Sequence, residues 1–301
     1  MQTSYTSEDV DVNPDFLLAT PHDAKPILTY PIVFKDSLLP EYDGYYAVVL
    51  DNVLSPSECA QLIKYAEMSS GMTDAQEVNG DAISDERKKK GWIPALVNLG
   101  DGKEARLTYY RDSDRIIWDN QELVDRLWDR CLNGGDENVI RDKLQTLAND
   151  PLVQGNWEFK RGHRWRMKRL NERMRFLKYG KGQFFKEHCD GAYATGREKS
   201  FVTLHLYLND SVQALAPPPV TSTTAHFPVP VPDPNVEKPE LEGGATPFYS
   251  PDMTRRIDVD PKAGRVLLFQ HSHLLHSGDY VTSGIKYTMR TDLMYEAIDI
   301  H

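Results

Sequence analysis

Cysteine is scarce in this chain: Cys59, Cys131 and Cys189 are the three in 301 residues. Their number is odd, their spacings are wide and no CxxC occurs, which argues against a disulfide framework and a thiolate zinc site. Reduced thiols are the expectation. An excess of positive charge is also lacking. The net charge is −10, so the Lys and Arg surplus that wholesale nucleic-acid binding requires is missing. No apolar run approaches the ~20 residues that span a bilayer. The opening stretch MQTSYTSEDVDVNPDF has neither an apolar core nor an Arg-rich amphipathic pattern, so no secretory or mitochondrial signal is expected. Together these absences point to a cytoplasmic protein with no membrane and no nucleic-acid partner, and they leave the oligomeric state open.

What is present is an ordinary globular composition, 40% hydrophobic and 27% charged, in a chain long enough to bury a substantial core. Three stretches differ in texture. Residues 1–40 are rich in Pro, Asp, Ser and Thr and read as an N-terminal arm. Residues 41–171 read as a helical support region packed on the core. There, Tyr45 to Leu50 predicts a strand. Ser55-Pro56-Ser57-Glu58 is a capping box that opens a helix with Cys59, Leu62, Ile63 and Ala66 on one face and Gly71 as a stop. A second helix runs from a cap at Asp119-Asn120-Gln121-Glu122 through Leu123, Leu127 and Cys131 to Gly134-Gly135, and a third covers Val139 to Leu147. The charge run Glu86-Arg87-Lys88-Lys89-Lys90 reads as a solvated loop.

Residues 172–301 carry short β-rich runs at Met174–Tyr179, Phe201–Leu208, Arg265–Phe269 and Lys286–Tyr295, each bounded by turn residues. Such a series predicts a sandwich or barrel rather than a parallel sheet. A Pro-rich insertion at about 210–242 interrupts it. Proline removes ladder donors, so this insertion excludes a central strand and reads as a surface loop or a lid over a site.

The chemistry concentrates in two places. In Phe184-Phe185-Lys186-Glu187-His188-Cys189-Asp190-Gly191, residues 188 and 190 are two apart. On a strand they share a face, so an imidazole and a carboxylate can reach one cation while Cys189 points away. That pair suits a borderline metal such as Fe(II), and a third ligand must come from a remote strand. The second place is the strand Gly264 to Phe269, which leads into His271, His273 and His276, with Lys286 ten residues beyond His276. A strand cation near such an iron can pair with the far carboxylate of 2-oxoglutarate.

Tyr179, His188 and Asp190, Tyr207-Leu208-Asn209, Gly243-Gly244-Ala245-Thr246, His276-Ser277-Gly278 and Lys286 occur in this order. This ordered set resembles the prolyl 4-hydroxylase-like branch of the Fe(II)/2-oxoglutarate-dependent dioxygenase superfamily, over roughly residues 172 to 296. The resemblance implies an α+β, mainly β fold: a double-stranded β-helix (jelly-roll) catalytic core with N-terminal supporting helices. It implies Fe(II) held by His188, Asp190 and His276, with 2-oxoglutarate and O2 as co-substrates and ascorbate as a supporting reductant. It also implies that Tyr179, Thr246 and Lys286 bind the co-substrate, and that Arg111 and Arg115 lie near the substrate. The implied activity is oxidation of an unactivated C–H bond: hydroxylation by default, with desaturation or cyclisation open to the same chemistry. A small molecule such as an amino acid or a natural-product intermediate is favoured as substrate. The insertion is the main departure from the branch, which often has a short turn there.

Competing readings remain at this stage. The enzyme could be a peptidyl-prolyl 4-hydroxylase acting on a protein, or the chain a non-catalytic barrel that only binds. His271, His273 and His276 form His-x-His-x-x-His, which would suit a zinc hydrolase but leaves His188 and Asp190 idle. Otherwise His271 and His273 are core or pocket-edge histidines. Arg290, four residues past Lys286, could meet the co-substrate or pair with Asp292. His205 reads as a structural strand histidine. The basic segment Lys160 to Arg169 reads as a solvated strand edge, with a rim for an acidic substrate as the sharper idea.

Overall fold

The computed structural model describes residues 7–72, 91–100, 103–228 and 238–298. The charge run at 86–90 lies outside the described residues, as does the 229–237 part of the Pro-rich insertion. Two sheets face each other, antiparallel except for one parallel edge strand in the smaller. The strands and helices that build and support them are β1 (Leu28–Pro31), β2 (Ala47–Asp51), α1 (Pro56–Ser69), β3 (Arg111–Asp112), β4 (Asp114–Asp119), α2 (Gln121–Gly134), α3 (Glu137–Leu144), β5 (Arg164–Leu170), β6 (Arg173–Tyr179), β7 (Phe184–His188), β8 (Glu198–Tyr207), β9 (Thr224–Phe227), β10 (Thr246–Tyr249), β11 (Arg256–Val259), β12 (Val266–Gln270), β13 (His276–Gly278) and β14 (Lys286–Ile298).

The larger sheet runs in the order β1-β2-β12-β8-β14-β6-β4, with β5 added along the far half of β14. The smaller runs β9-β11-β10-β13-β7-β3. Eight strands are shared between the sheets, switching sheet at each step along the chain except at the hairpin β10–β11, whose two strands stay in the smaller one. β6, β8, β12 and β14 go to the larger sheet, and β7, β10, β11 and β13 to the smaller. This alternation is the double-stranded β-helix, a jelly roll. Strands from the 41–171 stretch, β2, β4 and β5, extend the same large sheet.

Local chemistry accounts for the supporting helices. The Ser55 hydroxyl accepts from the Glu58 amide at 3.2 Å and the Glu58 carboxylate accepts from the Ser55 amide at 2.9 Å. The box is therefore closed, and such caps are worth about 1 kcal/mol. Asn120 caps α2 by accepting from the Leu123 amide. The third helix, expected from Val139, starts two residues earlier because Asp136 accepts from the Asn138 amide and supplies the cap.

Period-two alternation on β8 sends Val202, Leu204 and Leu206 outward. There they join Leu62, Ala66, Leu123, Leu127 and Met289 in the main core between the large sheet and the helices. Thr203, His205 and Tyr207 project the other way, into the barrel. A second cluster, with Tyr207, Phe248, Val259, Leu267, Phe269 and Leu274, fills the space between the sheets. Each fully buried Leu or Phe contributes roughly 1.5–3 kcal/mol, which holds the two sheets at a fixed separation.

The described parts of the insertion are built into the fold. Val212–Leu215 form a short helix, and β9 adds an edge strand parallel to β11. An edge position suits a Pro-flanked strand, which has few donors for a second neighbour. No helix among the described residues is long and apolar enough to cross a membrane.

Candidate metal centre and co-substrate pocket

His188 closes β7 and His276 opens β13, and the two are direct cross-strand partners. Asp190 follows His188 by two residues. The ligating atoms of His188, Asp190 and His276 all lie within 4.8 Å of one another. The Asp190 Oδ1 stands 3.6 Å from the His188 Nε2 and 3.8 Å from the His276 Nε2. Remote segments are thus brought to one point by a single strand pairing.

Hydrogen bonding sets the imidazole tautomers. The Nδ1 of His188 lies 2.7 Å from the Lys186 carbonyl, and the Nδ1 of His276 lies 3.0 Å from the Leu274 carbonyl. A carbonyl oxygen can only accept, so each Nδ1 keeps its proton and donates it, and each Nε2 presents a lone pair. Burial, helped by His276, pushes His188 down to about 3. Burial lowers His276 as well. Both rings are therefore neutral donors near pH 7. Burial would raise the Asp190 carboxyl, but Arg290 and the two histidines outweigh it and hold Asp190 well below the usual carboxylate range. Its Oδ2 accepts from the Thr203 hydroxyl at 2.6 Å and its Oδ1 forms an ion pair with Arg290 at 3.0 Å. Two neutral imidazoles and one fixed carboxylate on one side of an open space fit a divalent iron with vacant positions.

One cleft contains these three groups together with Tyr179, Thr246, Lys286, His205, Arg111 and Arg290. Tyr179 and Lys286 are cross-strand partners on β6 and β14, so they share a face, and the ammonium sits 5.2 Å from the Tyr179 ring centre and 5.7 Å from that of Tyr207. Lys286 is 1% exposed, and among the described residues it forms no ion pair; Asp279 and Asp260 act on it only from beyond pairing distance. Burial pushes it down to about 8. A buried ammonium without a counter-charge is costly, so the arrangement favours an arriving anion. Thr246 accepts from the Tyr207 hydroxyl at 2.7 Å, which frees its own proton to donate elsewhere.

The motifs around Lys286 have physical reasons. Asn209 donates to the Ile285 carbonyl at 2.8 Å and accepts from the Tyr287 amide at 2.8 Å, clamping the backbone on both sides of Lys286. Gly244 has φ +72°, and a Cβ there would stand 3.0 Å from the Lys286 Cδ. Gly244 therefore leaves the lysine stem its path, while a Cβ on Gly243 would run into the Tyr280 carbonyl at 2.5 Å.

Other expected residues divide. Arg111 lines the cleft, with its guanidinium 4.6 Å above the Phe185 ring. Arg115 does not line it. Arg115 is buried and paired with Glu104 at 3.0 Å, so the expectation that it lies near the substrate is set aside. Arg290 pairs with Asp292 at 3.3 Å, as one reading expected, and also with Asp190. His271 lies 3.6 Å from Asp292, and His273 is exposed on a turn. Neither joins His276 in a metal-binding group among the described residues. In the basic segment, Arg166 pairs with Glu296, Lys168 with Glu198, and Arg169 with Glu172 and Glu198. These three cations are therefore already matched by carboxylates of the same face. No described residue of the Pro-rich insertion lines the cleft.

The sequence reading passed over Thr203 as the Asp190 partner and took His205 as structural. His205 lines the cleft with its Nε2 buried and unpartnered. The signal was available: 203, 205 and 207 alternate on one strand and share the face of Tyr207.

No protein-family model matches the chain, and no curated protein matches it significantly. Among solved structures, a viral collagen prolyl hydroxylase from Paramecium Bursaria Chlorella virus-1 in complex with 2OG is 18% identical, with a TM-score of 0.41 over 84% of this chain and 97% of that one. A Pseudomonas putida prolyl-4-hydroxylase is 13% identical, with a TM-score of 0.44 over 87% of this chain and 98% of that one. A Trichoplax adhaerens prolyl hydroxylase, in complex with a hypoxia inducible factor peptide fragment, is 14% identical, with a TM-score of 0.43 over 85% and 86%. All three are at low identity, and what the site does is read from its own geometry.

Proposed function

We propose that the chain is an Fe(II)- and 2-oxoglutarate-dependent dioxygenase, an oxidoreductase that oxidises an unactivated C–H bond of a small molecule. The observation that carries this reading is a pairing within one cleft. Two neutral imidazoles and a carboxylate face a common point, and a fully buried ammonium with no ion pair among the described residues stands on the same wall. A zinc hydrolase or an empty barrel has no use for that lysine.

His188, His276 and Asp190 would hold the metal through Nε2, Nε2 and Oδ1. Iron held there supplies oxygen activation coupled to oxidative decarboxylation of 2-oxoglutarate to succinate and CO2. Lys286 would take the far carboxylate of 2-oxoglutarate, with the Thr246 and Tyr179 hydroxyls as further donors. Thr203 and Arg290 keep the Asp190 carboxylate turned toward the metal. What remains for the protein is to hold one C–H bond of the substrate in place. Hydroxylation is the default outcome.

Succinate release dependent on Fe(II), 2-oxoglutarate and O2 tests the reading. The wild-type chain is expected to release it, and His188→Ala and Asp190→Ala are expected to abolish release. Full turnover in either variant would remove the site from the chemistry.

A further inference from the structure

The cleft is richer in cations than iron and 2-oxoglutarate require. Arg111, Arg175, Lys286 and Arg290 line it, against one lining carboxylate, Asp190. Asp292, packed behind, serves Arg175 at 3.1 Å and Arg290 at 3.3 Å. Asp279 and Asp260 act on Lys286 from farther off but are themselves paired with Arg256 and His226, so four cations against two carboxylates leave two positive charges. A divalent metal adds two more, and the 2-oxoglutarate dianion removes two. The loaded site would still hold two charges in excess, and charges in a partly desolvated cleft favour a counter-ion.

The excess can be placed. Arg290 has Asp190 and Asp292, and Arg175 has Asp292. Lys286 would have 2-oxoglutarate. Arg111 alone has no carboxylate among the described residues. Its Nε donates to the Ser113 hydroxyl at 3.2 Å and its guanidinium lies over the Phe185 ring. It is also next to the reacting point. Arg111 and Phe185 are cross-strand partners on β3 and β7, and the Phe185 ring stacks on the His188 ring at 3.8 Å. A guanidinium fork one ring away from a metal-binding imidazole suits bidentate capture of a planar carboxylate.

We propose that the primary substrate is a small carboxylic acid whose carboxylate is held by Arg111. This deepens the dioxygenase reading and rests on it. A neutral substrate, such as a prolyl residue inside a peptide, would leave the guanidinium unmatched.

The test uses the iron- and 2-oxoglutarate-loaded enzyme with free L-amino acids and short mono- and dicarboxylic acids. Each is paired with its primary amide, and end-blocked proline peptides form a third arm. At least one acid is expected to stimulate succinate release, with its amide about 10–100-fold lower in kcat/KM, the range for loss of a charge-assisted pair. Arg111→Gln is expected to cost the acid a similar factor while Arg111→Lys recovers part of it. Thermal unfolding of the apoprotein gives a readout independent of any substrate. Arg111→Gln is expected to melt at or above the wild type, because an unmatched charge is removed. The proposal fails if blocked peptides or amides match the acids, if Arg111→Gln leaves acid turnover unchanged, or if that variant melts well below wild type. Silence of every acid in an enzyme that still binds iron and 2-oxoglutarate also overturns it. Failure to bind them overturns the dioxygenase reading beneath it.

Discussion

Lys286→Met should make the apoprotein more stable and blind to 2-oxoglutarate. The lysine is 1% exposed and its ammonium is pushed from 10.5 to about 8 by burial. At about 1.4 kcal/mol per pH unit, that gap is a cost of roughly 3 kcal/mol for carrying the charge in the folded protein. The cost is fully present below pH 8, where both folded and unfolded chains are protonated. It fades as pH rises from about 8 to 10.5, because only the folded chain has released the proton there. Methionine fills a similar volume without the charge, so most of the cost is relieved at pH 7. With about 2.1 cal/mol/K of unfolding entropy per residue, 3 kcal/mol in a chain of this length is a rise of roughly 5 °C in Tm. Thermal unfolding with and without millimolar 2-oxoglutarate reads both effects. Wild type is expected to gain stability from the dianion, and Lys286→Met to start higher and gain little. A variant that melts lower than wild type, or that still responds fully to 2-oxoglutarate, would refute the idea that this ammonium waits for an anion.

Three further outcomes are expected. Asn209→Ala removes both clamps beside Lys286 at a cost of about 1–2 kcal/mol, so the 2-oxoglutarate KM should rise roughly tenfold in steady-state assays while saturated turnover is largely kept. Thr203→Val leaves the Asp190 Oδ2 without its donor and should weaken metal binding about 10–100-fold in a Mn(II) or Co(II) titration; unchanged affinity would dismiss Thr203 as a positioning residue. His188 is pushed from 6.5 to about 3, so as pH falls below about 6.5 the unfolded chain takes up a proton that the folded one refuses. Apoprotein stability should then fall by about 1.4 kcal/mol per pH unit from this group, and His188→Gln should flatten that slope in urea melts.

The sequence carried those parts of the molecule that are coded locally. The capping box at Ser55 and the Asn120 cap depend on residues three apart, and both helices follow from them. Likewise, His188 and Asp190 are two apart on an extended segment, which is why their common direction could be read in advance. The long runs at 174–179, 201–208, 265–269 and 286–295 became β6, β8, β12 and β14 with small changes at their ends. What stayed hidden depends on pairing between distant segments. Nothing local says that Arg290 lies beside Asp190, or that Thr203 faces it across the barrel. The short strand β3 has two residues and is defined only by its partner β7, so the position of Arg111 over Phe185 could not be read from its own neighbours. Strand β9 sits in a stretch whose prolines masked it. Its edge position, pairing on one side with β11, is what makes a strand there tolerable.

The central claim is that His188, Asp190 and His276 form one iron site that shares a cleft with the 2-oxoglutarate lysine. Anaerobic addition of Fe(II) and then 2-oxoglutarate to the protein measures this most directly. A weak visible charge-transfer band is expected only when both are present, and it should vanish in His276→Ala. A protein that gives no band, or a His276→Ala variant that keeps it, would contradict the account.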